Sequence, residues 1–458
     1  MRVACFCVFL LSACVPGSDD FRIVDDGGVS SDAGPRPDAG GMDGGPDGGP
    51  DGGGSDGGDD AGPGFVPTAL DVVCTELWAT AAGGGPCEGR EVVTVASPFD
   101  SLDVALARAA DGQIVVAYNQ RDGFDFGRIA TVTFPEDDAA TAATPGPTIE
   151  PESTIGDVVG IDLDFATEPP DIHHLAYWLR SDFGHEVRYQ RLRRGAFSPV
   201  QSIATGVGRD GVVDVEIDSD RLATVAWHDD VSGENAARRE RPDETFSPIV
   251  NLRTDGDSRI EGAGAVALHP GRAGRMHMAY QWSISLAASA PSYNLATSTM
   301  WSTARTLDNQ AVANRASGVG VELTLLDEEV VVAYLDWIDG VGEIRFARFV
   351  SDDVTTEVYL DGLNIADRPG DHPIVIDTDA AGLLQLLVAD ASVAGTRLQW
   401  HRQTRVGGET RWIVDTIAEI MAPPALVHVD MKLGPDRRPH VVFWDPTRGE
   451  LRYATARP

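Results

Sequence analysis

Seven short runs of apolar residues recur along the chain at a nearly constant spacing. Most of them end in Ala or Val followed by an aromatic residue, as in IVVAY, ATVAW and VVVAY. The seven runs end at Tyr118, Tyr177, Trp227, Tyr280, Tyr334, Ala389 and Phe443. Successive ends lie 59, 50, 53, 54, 55 and 54 residues apart. A fixed period of that size, made of short strands, is typical of a β-propeller with one blade per period.

Segments with alternating apolar and polar residues flank each apolar run. One kind precedes the run, as in LDVALA (102–107) and VELTLL (321–326), and another follows it, as in EVRYQRL (186–192) and ELRYATA (450–456). Alternation predicts a strand with one buried face, whereas a continuous apolar run predicts a strand covered on both faces. A further strand begins near the aromatic residues Phe197, Phe246, Trp301 and Trp412. The pattern therefore predicts four strands per blade.

The last repeat ends at Pro458, after its third strand, and a spare strand, REVVTVA (90–96), precedes the first repeat. We expect this N-terminal strand to complete the last blade, because closing the ring removes the exposed edges of an open array. The predicted fold is all-β, a seven-bladed propeller over residues 90–458.

The first residues form an export signal. Met1 and Arg2 precede the apolar run VACFCVFLL (3–11), which small residues follow. The segment Leu11-Ser12-Ala13-Cys14 resembles the lipobox of bacterial lipoproteins. The resemblance implies a signal peptide over 1–13, a lipid on Cys14, and attachment to the cell envelope, at the outer membrane or cell surface. An ordinary signal peptide with an unrelated cysteine is the alternative.

Residues 14–64 are dominated by Gly, Asp and Pro, which predicts a disordered tether between the lipid and the propeller. The whole chain has 71 acidic and 36 basic residues, a formal charge of −35. Such a charge disfavours nucleic acid as a partner. The chain has one lysine, Lys432, to which this pattern assigns no role.

The lead-in at residues 65–89 contains Cys74 and Cys87, the two cysteines that remain once the signal is removed and Cys14 is lipidated. In an exported protein an even pair predicts a disulfide.

The phrases H-x-A-Y and G-E-L-R-Y-A in the repeats resemble those of sialidase-like (neuraminidase-type) propellers, particularly lipid-anchored bacterial ones with Asp-Gly-rich stalks. The resemblance covers about residues 90–458. The Asp-box of that family, Ser-x-Asp-x-Gly-x-Thr-Trp, occurs nowhere in the sequence.

Two sets of polar residues are candidates for a site. Acidic residues recur on the first strand of six blades, where they can face a central channel: Asp103, Asp162, Asp214, Glu322, Asp377 and Asp430. A bound cation such as Ca²⁺ can relieve their repulsion, and a channel filled with water is the alternative. Histidine recurs three residues before the end of the apolar run, as His174, His277 and His440, which predicts a repeated structural role rather than a shared metal.

The loops after the second strands form the other set, because in a propeller they gather at one end of the ring. Tryptophans there can stack on a ligand while polar groups orient it, although each can instead pack on a neighbour or cap a turn. The ligand-face candidates are Arg121, Asp122, Trp178, Arg180, Asp182, His228, Asp229, Asp230, Trp282, Asp336, Trp337, Asp339, Asp390, Trp444, Asp445 and Arg448.

The sequence nominates no catalytic residue, because the nucleophile-elbow and zinc-helix motifs are missing from it. It therefore favours a monomeric, non-enzymatic module that binds a glycan or an envelope protein. The alternatives are a glycan-acting hydrolase or lyase of sialidase-like fold and a purely structural spacer.

Overall fold

A computed structural model describes most of the propeller, and all of its described residues belong to the unit that begins at Asp60. The described residues are 73–74, 90–96, 103–121, 127–150, 158–168, 171–181, 184–208, 211–229, 234–253, 266–285, 288–297, 300–308, 315–338, 341–350, 354–363, 374–392, 395–406, 408–423 and 426–456. The predicted signal peptide, Cys14 and the tether lie outside them and stay predictions. Within these ranges, no helix is both long and apolar enough to cross a membrane.

Two strands precede the first blade, β1 (Val73–Cys74) and β2 (Arg90–Ala96). Blade 1 contains β3 (Val104–Arg108), β4 (Gln113–Arg121), β5 (Gly127–Pro135) and β6 (Thr144–Pro145). Blade 2 contains β7 (Val158–Glu168), β8 (Ile172–Ser181), β9 (Gly184–Arg193), β10 (Ala196–Phe197) and β11 (Gln201–Thr205). Blade 3 contains β12 (Gly211–Ile217), β13 (Ala223–Asp229), β14 (Glu234–Arg239) and β15 (Val250–Arg253).

The remaining blades follow the same plan. Blade 4 contains β16 (Val266–Pro270), β17 (Met276–Ser285), β18 (Ala288–Ala296) and β19 (Arg305–Thr306). Blade 5 contains β20 (Arg315–Leu326), β21 (Glu329–Ile338), β22 (Val341–Phe349) and β23 (Thr355–Leu363). Blade 6 contains β24 (Ile374–Thr378), β25 (Leu384–Ser392), β26 (Gly395–Val406) and β27 (Glu409–Ile420). Blade 7 contains β28 (Val429–Leu433), β29 (Pro439–Asp445) and β30 (Glu450–Ala456). A one-turn helix, α1 (Ala139–Ala142), and a 3₁₀ turn at Arg272–Gly274 lie in connections.

The predicted seven-bladed propeller is confirmed. Within each blade, the first three strands pair antiparallel in sequence order, and the short outer strands β10 and β11 of blade 2 both pair antiparallel with β9. The first strands contact one another in the cyclic order β3, β7, β12, β16, β20, β24, β28 and back to β3, so they surround the axis. We call the end of the ring at which second strands end and third strands begin the loop face.

The N-terminal strand closes the ring, as predicted. β2 pairs antiparallel with β30, with Arg90 opposite Ala456 and Val93 opposite Tyr453. This pairing supplies the fourth strand of blade 7, so that both ends of the propeller sequence meet in one sheet.

Blade 6 has a fifth strand that the sequence did not predict. β1 pairs parallel with β27, with Val73 opposite Val414 and Cys74 opposite Asp415. Val73 and Cys74 of the lead-in therefore lie at the outer edge of blade 6. Cys87 lies outside the described residues, and the disulfide stays a prediction.

The core lies between neighbouring blades and is built mainly by the second strands. Every residue of β13 and β29 is buried, as expected for strands covered on both faces. In one such cluster, Trp178 and Tyr189 of blade 2 pack with Val213 and Val215 of blade 3. Burial of apolar surface at about 25 cal/mol per Å² makes these interfaces the main stabilising term of the ring.

Candidate functional site

The first strands enclose a cavity of about 190 Å³ on the ring axis. Titratable side chains, six acidic, one histidine and one lysine, form much of its wall. They are Asp164, Asp214, Glu216, His269, Glu322, Asp377, Asp430 and Lys432. Blade 1 contributes Val104 and Ala105 to the same wall. We call this set of groups the channel cluster.

Four of the six predicted channel acids line the cavity, namely Asp214, Glu322, Asp377 and Asp430. Asp103 is buried beside the wall rather than in the lining, and the side chain of Asp162 lies outside the described residues. Blade 2 places Asp164, which was not predicted, in the wall. The sequence thus predicted that acidic residues line the channel, but it did not identify Asp164 and Glu216 among them.

Aspartates on the first strands connect neighbouring blades through backbone hydrogen bonds. Asp103 accepts the N–H of Leu163 at 2.7 Å, and Asp164 accepts that of Val215 at 2.9 Å. The other contacts of this kind are Leu268 N–H to Asp214, Leu433 N–H to Asp377 at 3.2 Å and Leu106 N–H to Asp430 at 2.6 Å. These bonds join blades 1–2, 2–3, 3–4, 6–7 and 7–1. The alternating acids therefore hold the ring together.

Lys432, the only lysine of the chain, lies in the wall of this acidic channel. Its Nζ lies 3.9 Å from Oε1 of Glu216, across the channel in blade 3. Burial disfavours the ammonium, yet Asp430, Glu216 and Asp164 raise the pKa of Lys432 well above its usual range. These carboxyls therefore favour the charged ammonium form of Lys432. Sequence reasoning missed it, although its spacing of two from Asp430 places both on one face of the strand.

Burial and mutual repulsion make several channel carboxyls hard to ionise. Burial raises the pKa of Glu216 to about 7, although Lys432 opposes the change. Burial and the neighbouring Asp164 raise the pKa of Asp214 well above its usual value, and a side-chain hydrogen bond connects the two. Burial also disfavours ionisation of Asp164, but Lys432 and the bond from Asp214 lower its pKa overall. Asp214 is therefore the protonated partner, and its hydroxyl group donates a hydrogen bond to the Asp164 carboxylate.

A metal in the channel has no ready ligand set in the part of the chain that the structure describes, where no three or more His, Cys, Asp or Glu side chains are grouped to hold an ion. Burial lowers the pKa of His269 to about 4, so this ring is neutral. Calcium in the channel stays a prediction.

The loop-face tryptophans differ in exposure. Trp178 and Trp444 are 0% and 2% exposed, so their rings belong to the core between blades rather than to an open surface. Trp178 packs closely over Gly211 of blade 3, where a Cβ would overlap its ring. Trp282 is half-buried, and the side chain of Trp337 lies outside the described residues.

Several loop-face carboxylates are occupied by structural contacts. Asp229 accepts the N–H of Gly208 at 2.9 Å, and Asp336 pairs with Arg345 at 2.9 Å. Asp445 caps its own turn by accepting the N–H of Thr447 at 3.1 Å. His228 is buried and hydrogen-bonds Asn235 at 2.9 Å.

Other loop-face candidates keep some exposure. Arg121, Arg180 and Asp390 are half-buried, and the side chain of Arg448 is 54% exposed. Asp122, Asp182, Asp230 and Asp339 lie outside the described residues. Among the described loop-face candidates, Arg448 is exposed and Trp282 is the half-buried aromatic ring.

A Glu-x-Arg motif on the third strand recurs in three blades and was not recognised as a site feature from the sequence. The pairs are Glu186 with Arg188 at 2.9 Å, Glu343 with Arg345 at 3.0 Å and Glu450 with Arg452 at 4.0 Å. The letters EVR, EIR and ELR were the available signal.

The recurring histidines have the predicted structural role. Nδ1 of His277 lies 2.7 Å from the hydroxyl of Tyr293, and Nδ1 of His440 lies 2.6 Å from that of Tyr453. His174 makes the same contact with Tyr189. Each pair connects the second and third strands of one blade.

No protein-family model matches the chain, and no curated protein matches it. Among solved structures, an ulvan lyase of polysaccharide lyase family 25 is similar over 79% of this chain and 94% of its own, at 13% identity and a TM-score of 0.50. A protein of unknown function from Dyadobacter fermentans is 8% identical, covers 80% of this chain and 97% of its own, and has a TM-score of 0.46. The NanB sialidase of Streptococcus pneumoniae is 10% identical, covers 78% and 68%, and has a TM-score of 0.40. The likeness to the ulvan lyase concerns the fold.

Proposed function

We propose that this chain is a non-enzymatic binding propeller, attached by a lipid on Cys14 to the bacterial cell envelope. Its ligand, a glycan in the first instance and an envelope protein otherwise, binds at the loop face. The tether of residues 14–64 separates the propeller from the membrane.

The structural contacts of three loop-face carboxylates in the described part of the chain carry this proposal. Glycoside hydrolysis needs two carboxyl groups that face the substrate about 5–9.5 Å apart. Asp229, Asp336 and Asp445 instead accept bonds from backbone N–H groups or pair with arginine, and each is buried. Carboxylates held in this way orient loops, which supports a preorganised binding surface.

Trp282 and Arg448 supply the chemistry for recognition. A half-buried indole offers a flat face on which a sugar ring can stack, and a guanidinium offers several donors for hydroxyl or carboxylate groups.

A hydrolase or lyase remains the second candidate because Asp214, whose pKa is raised, forms a side-chain hydrogen bond with Asp164, whose pKa is lowered. Such a pair can exchange protons with a substrate. However, the cavity that holds it measures about 190 Å³, whereas small-molecule sites measure about 300–1,000 Å³. This difference favours the binding module.

A glycan array followed by calorimetry tests the proposal on the purified chain. We expect saturable binding that Trp282→Ala and Arg448→Ala weaken by about tenfold, the effect of one lost contact of about 1.4 kcal/mol. Arg272→Ala, which removes an exposed arginine in a connection between a first and a second strand, is the matched control. Chromatography of the incubated glycans completes the test. Cleavage products of a glycan, or binding that neither variant weakens, would contradict the proposal.

A further inference from the structure

The closing blade carries the positive charge of the channel. Blade 7 is assembled from both ends of the propeller sequence, and its first strand, β28, presents Asp430 and Lys432 to the axis. Its junctions with blades 6 and 1 depend on the hydrogen bonds that Asp377 and Asp430 accept. The two interfaces that complete the ring, between blades 6 and 7 and between blades 7 and 1, therefore lie on either side of the strand that carries Lys432.

The groups that face Lys432 come from the first strands of five other blades. Blade 2 presents Asp164, blade 3 Asp214 and Glu216, blade 4 His269, blade 5 Glu322, and blade 6 Asp377. With Asp430 of its own strand, six carboxyls share one ammonium. Charges removed from water destabilise a fold unless an opposite charge compensates them.

We propose that Lys432 is the built-in counter-ion of the channel, and that its ammonium holds the closing blade to blades 2, 3 and 6 across the axis. The lysine occupies the position that a bound cation would otherwise take in such a channel. Closure of the ring then depends on how many carboxyls are ionised around one fixed positive charge.

The electrostatics of the cluster support this role. Lys432 lowers the pKa of Asp164, Glu216, Asp377 and Asp430, against the effect of burial. Without the ammonium, the pKa values of these four carboxyls in the folded protein would be higher. A group whose pKa is raised by folding stabilises the fold at low pH and loses that contribution as pH rises. Removal of Lys432 should therefore be most damaging at alkaline pH.

Thermal unfolding of the full chain at pH 5 and pH 8 tests this dependence. We expect Lys432→Met to lower the midpoint by about 5 °C at pH 8 and by much less at pH 5, because fewer of the channel carboxyls are ionised at the lower pH. Lys432→Arg should keep the wild-type pH profile, since it keeps the charge. Arg272→Met, which breaks an exposed ion pair with Glu328, is the control for loss of one cation. A pH-independent loss in Lys432→Met would overturn the proposal.

Chemical rescue separates the charge from the packing of the side chain. We expect n-propylammonium chloride to raise the midpoint of Lys432→Ala at pH 8, and sodium chloride at equal ionic strength to leave it unchanged. Equal stabilisation of wild type and Lys432→Ala by calcium would overturn the proposal, because the lysine would then not fill the cation position.

A third test needs no variant, because the chain has one lysine. Amine-specific acetylation of the native protein, followed by mass spectrometry, reports on Lys432 alone among side chains. Each unit by which a pKa rises lowers the free amine tenfold, so we expect acetylation at least about tenfold slower in the native protein than in urea. Equal rates would contradict the counter-ion role.

Discussion

Glu216→Gln removes a channel carboxyl that titrates near neutral pH in the folded protein. Burial raises the pKa of Glu216 from 4.5 to about 7 in the folded protein. Because folding raises this pKa, the stabilisation is fully present below pH 4.5 and is lost as the pH rises through 7. The wild type should therefore become less stable between pH 5 and pH 8, and the glutamine variant should lack this part of the loss.

The shift in pKa sets the size of the effect. At about 1.36 kcal/mol per pKa unit, the difference between 4.5 and about 7 corresponds to an upper limit of about 3 kcal/mol. The Glu216 side chain is 23% exposed, so solvent screening reduces its contribution to stability below this limit. We expect the free energy of unfolding of the wild type, relative to that of Glu216→Gln, to fall by about 2 kcal/mol from pH 5 to pH 8.

Urea unfolding at pH 5, 6, 7 and 8, followed by tryptophan fluorescence, measures this difference. Glu328→Gln is the matched control, since Glu328 is 73% exposed and pairs with an exposed arginine. Its profile should run parallel to that of the wild type. A constant gap between wild type and Glu216→Gln, or one that widens in favour of the wild type with rising pH, would refute the reasoning.

Three further changes test how the ring is held together. Asp103→Ala leaves the buried N–H of Leu163 without its acceptor and should cost about 1–3 kcal/mol in urea unfolding, whereas a neutral result would deny the bond a role. Gly211→Ala places a Cβ against the ring of Trp178 and should cost about 1–3 kcal/mol by the same assay; an unchanged midpoint would mean that the blades separate easily. Removal of residues 1–96 deletes β2 and exposes the edge of β30, so light scattering should detect aggregation, and a soluble monomer would contradict closure by that strand.

The period of the apolar runs was sufficient to predict the blades and their closure. Continuous apolar runs such as that ending at Phe443 became second strands buried on both faces, and REVVTVA became the closing strand. These features follow from local pattern and chain topology. The pairing of β1 with β27 involves only two residues, too few to produce a pattern.

The sequence pattern did not single out Asp164 as a channel acid of blade 2. Asp162 and Asp164 have the same parity on an ideal strand, so alternation does not distinguish them. In the structure the pairing of β7 with β8 shifts between Val159 and Leu163, beside Gly160 at a φ of 74°. Such a bulge depends on the close approach of Ile129 to Gly160, a tertiary contact.

Burial separated the loop-face candidates in a way that residue type could not. A tryptophan near the end of a buried strand can face a ligand or pack against the next blade. Trp178 and Trp444 are buried between blades. The deciding factor for Trp178 is the absence of a side chain at Gly211, which lies in another blade. The sequence contained both residues but not their proximity.

The geometry of the ring explains why acids recur on the first strands. The first strand is one edge of each blade, and its N–H groups that face away from the blade have no partner within the sheet. An aspartate on the preceding blade supplies an acceptor, as Asp430 does for Leu106. Between blades 5 and 6 the hydroxyls of Thr324 and Thr378 meet at 2.9 Å and form a neutral connection. Acceptors that carry charge accumulate on the axis as blades are added, and the closed ring therefore requires a cation there, which Lys432 provides. If another protein of this architecture connects more of its blades through hydroxyls, its channel should be stable without a lysine.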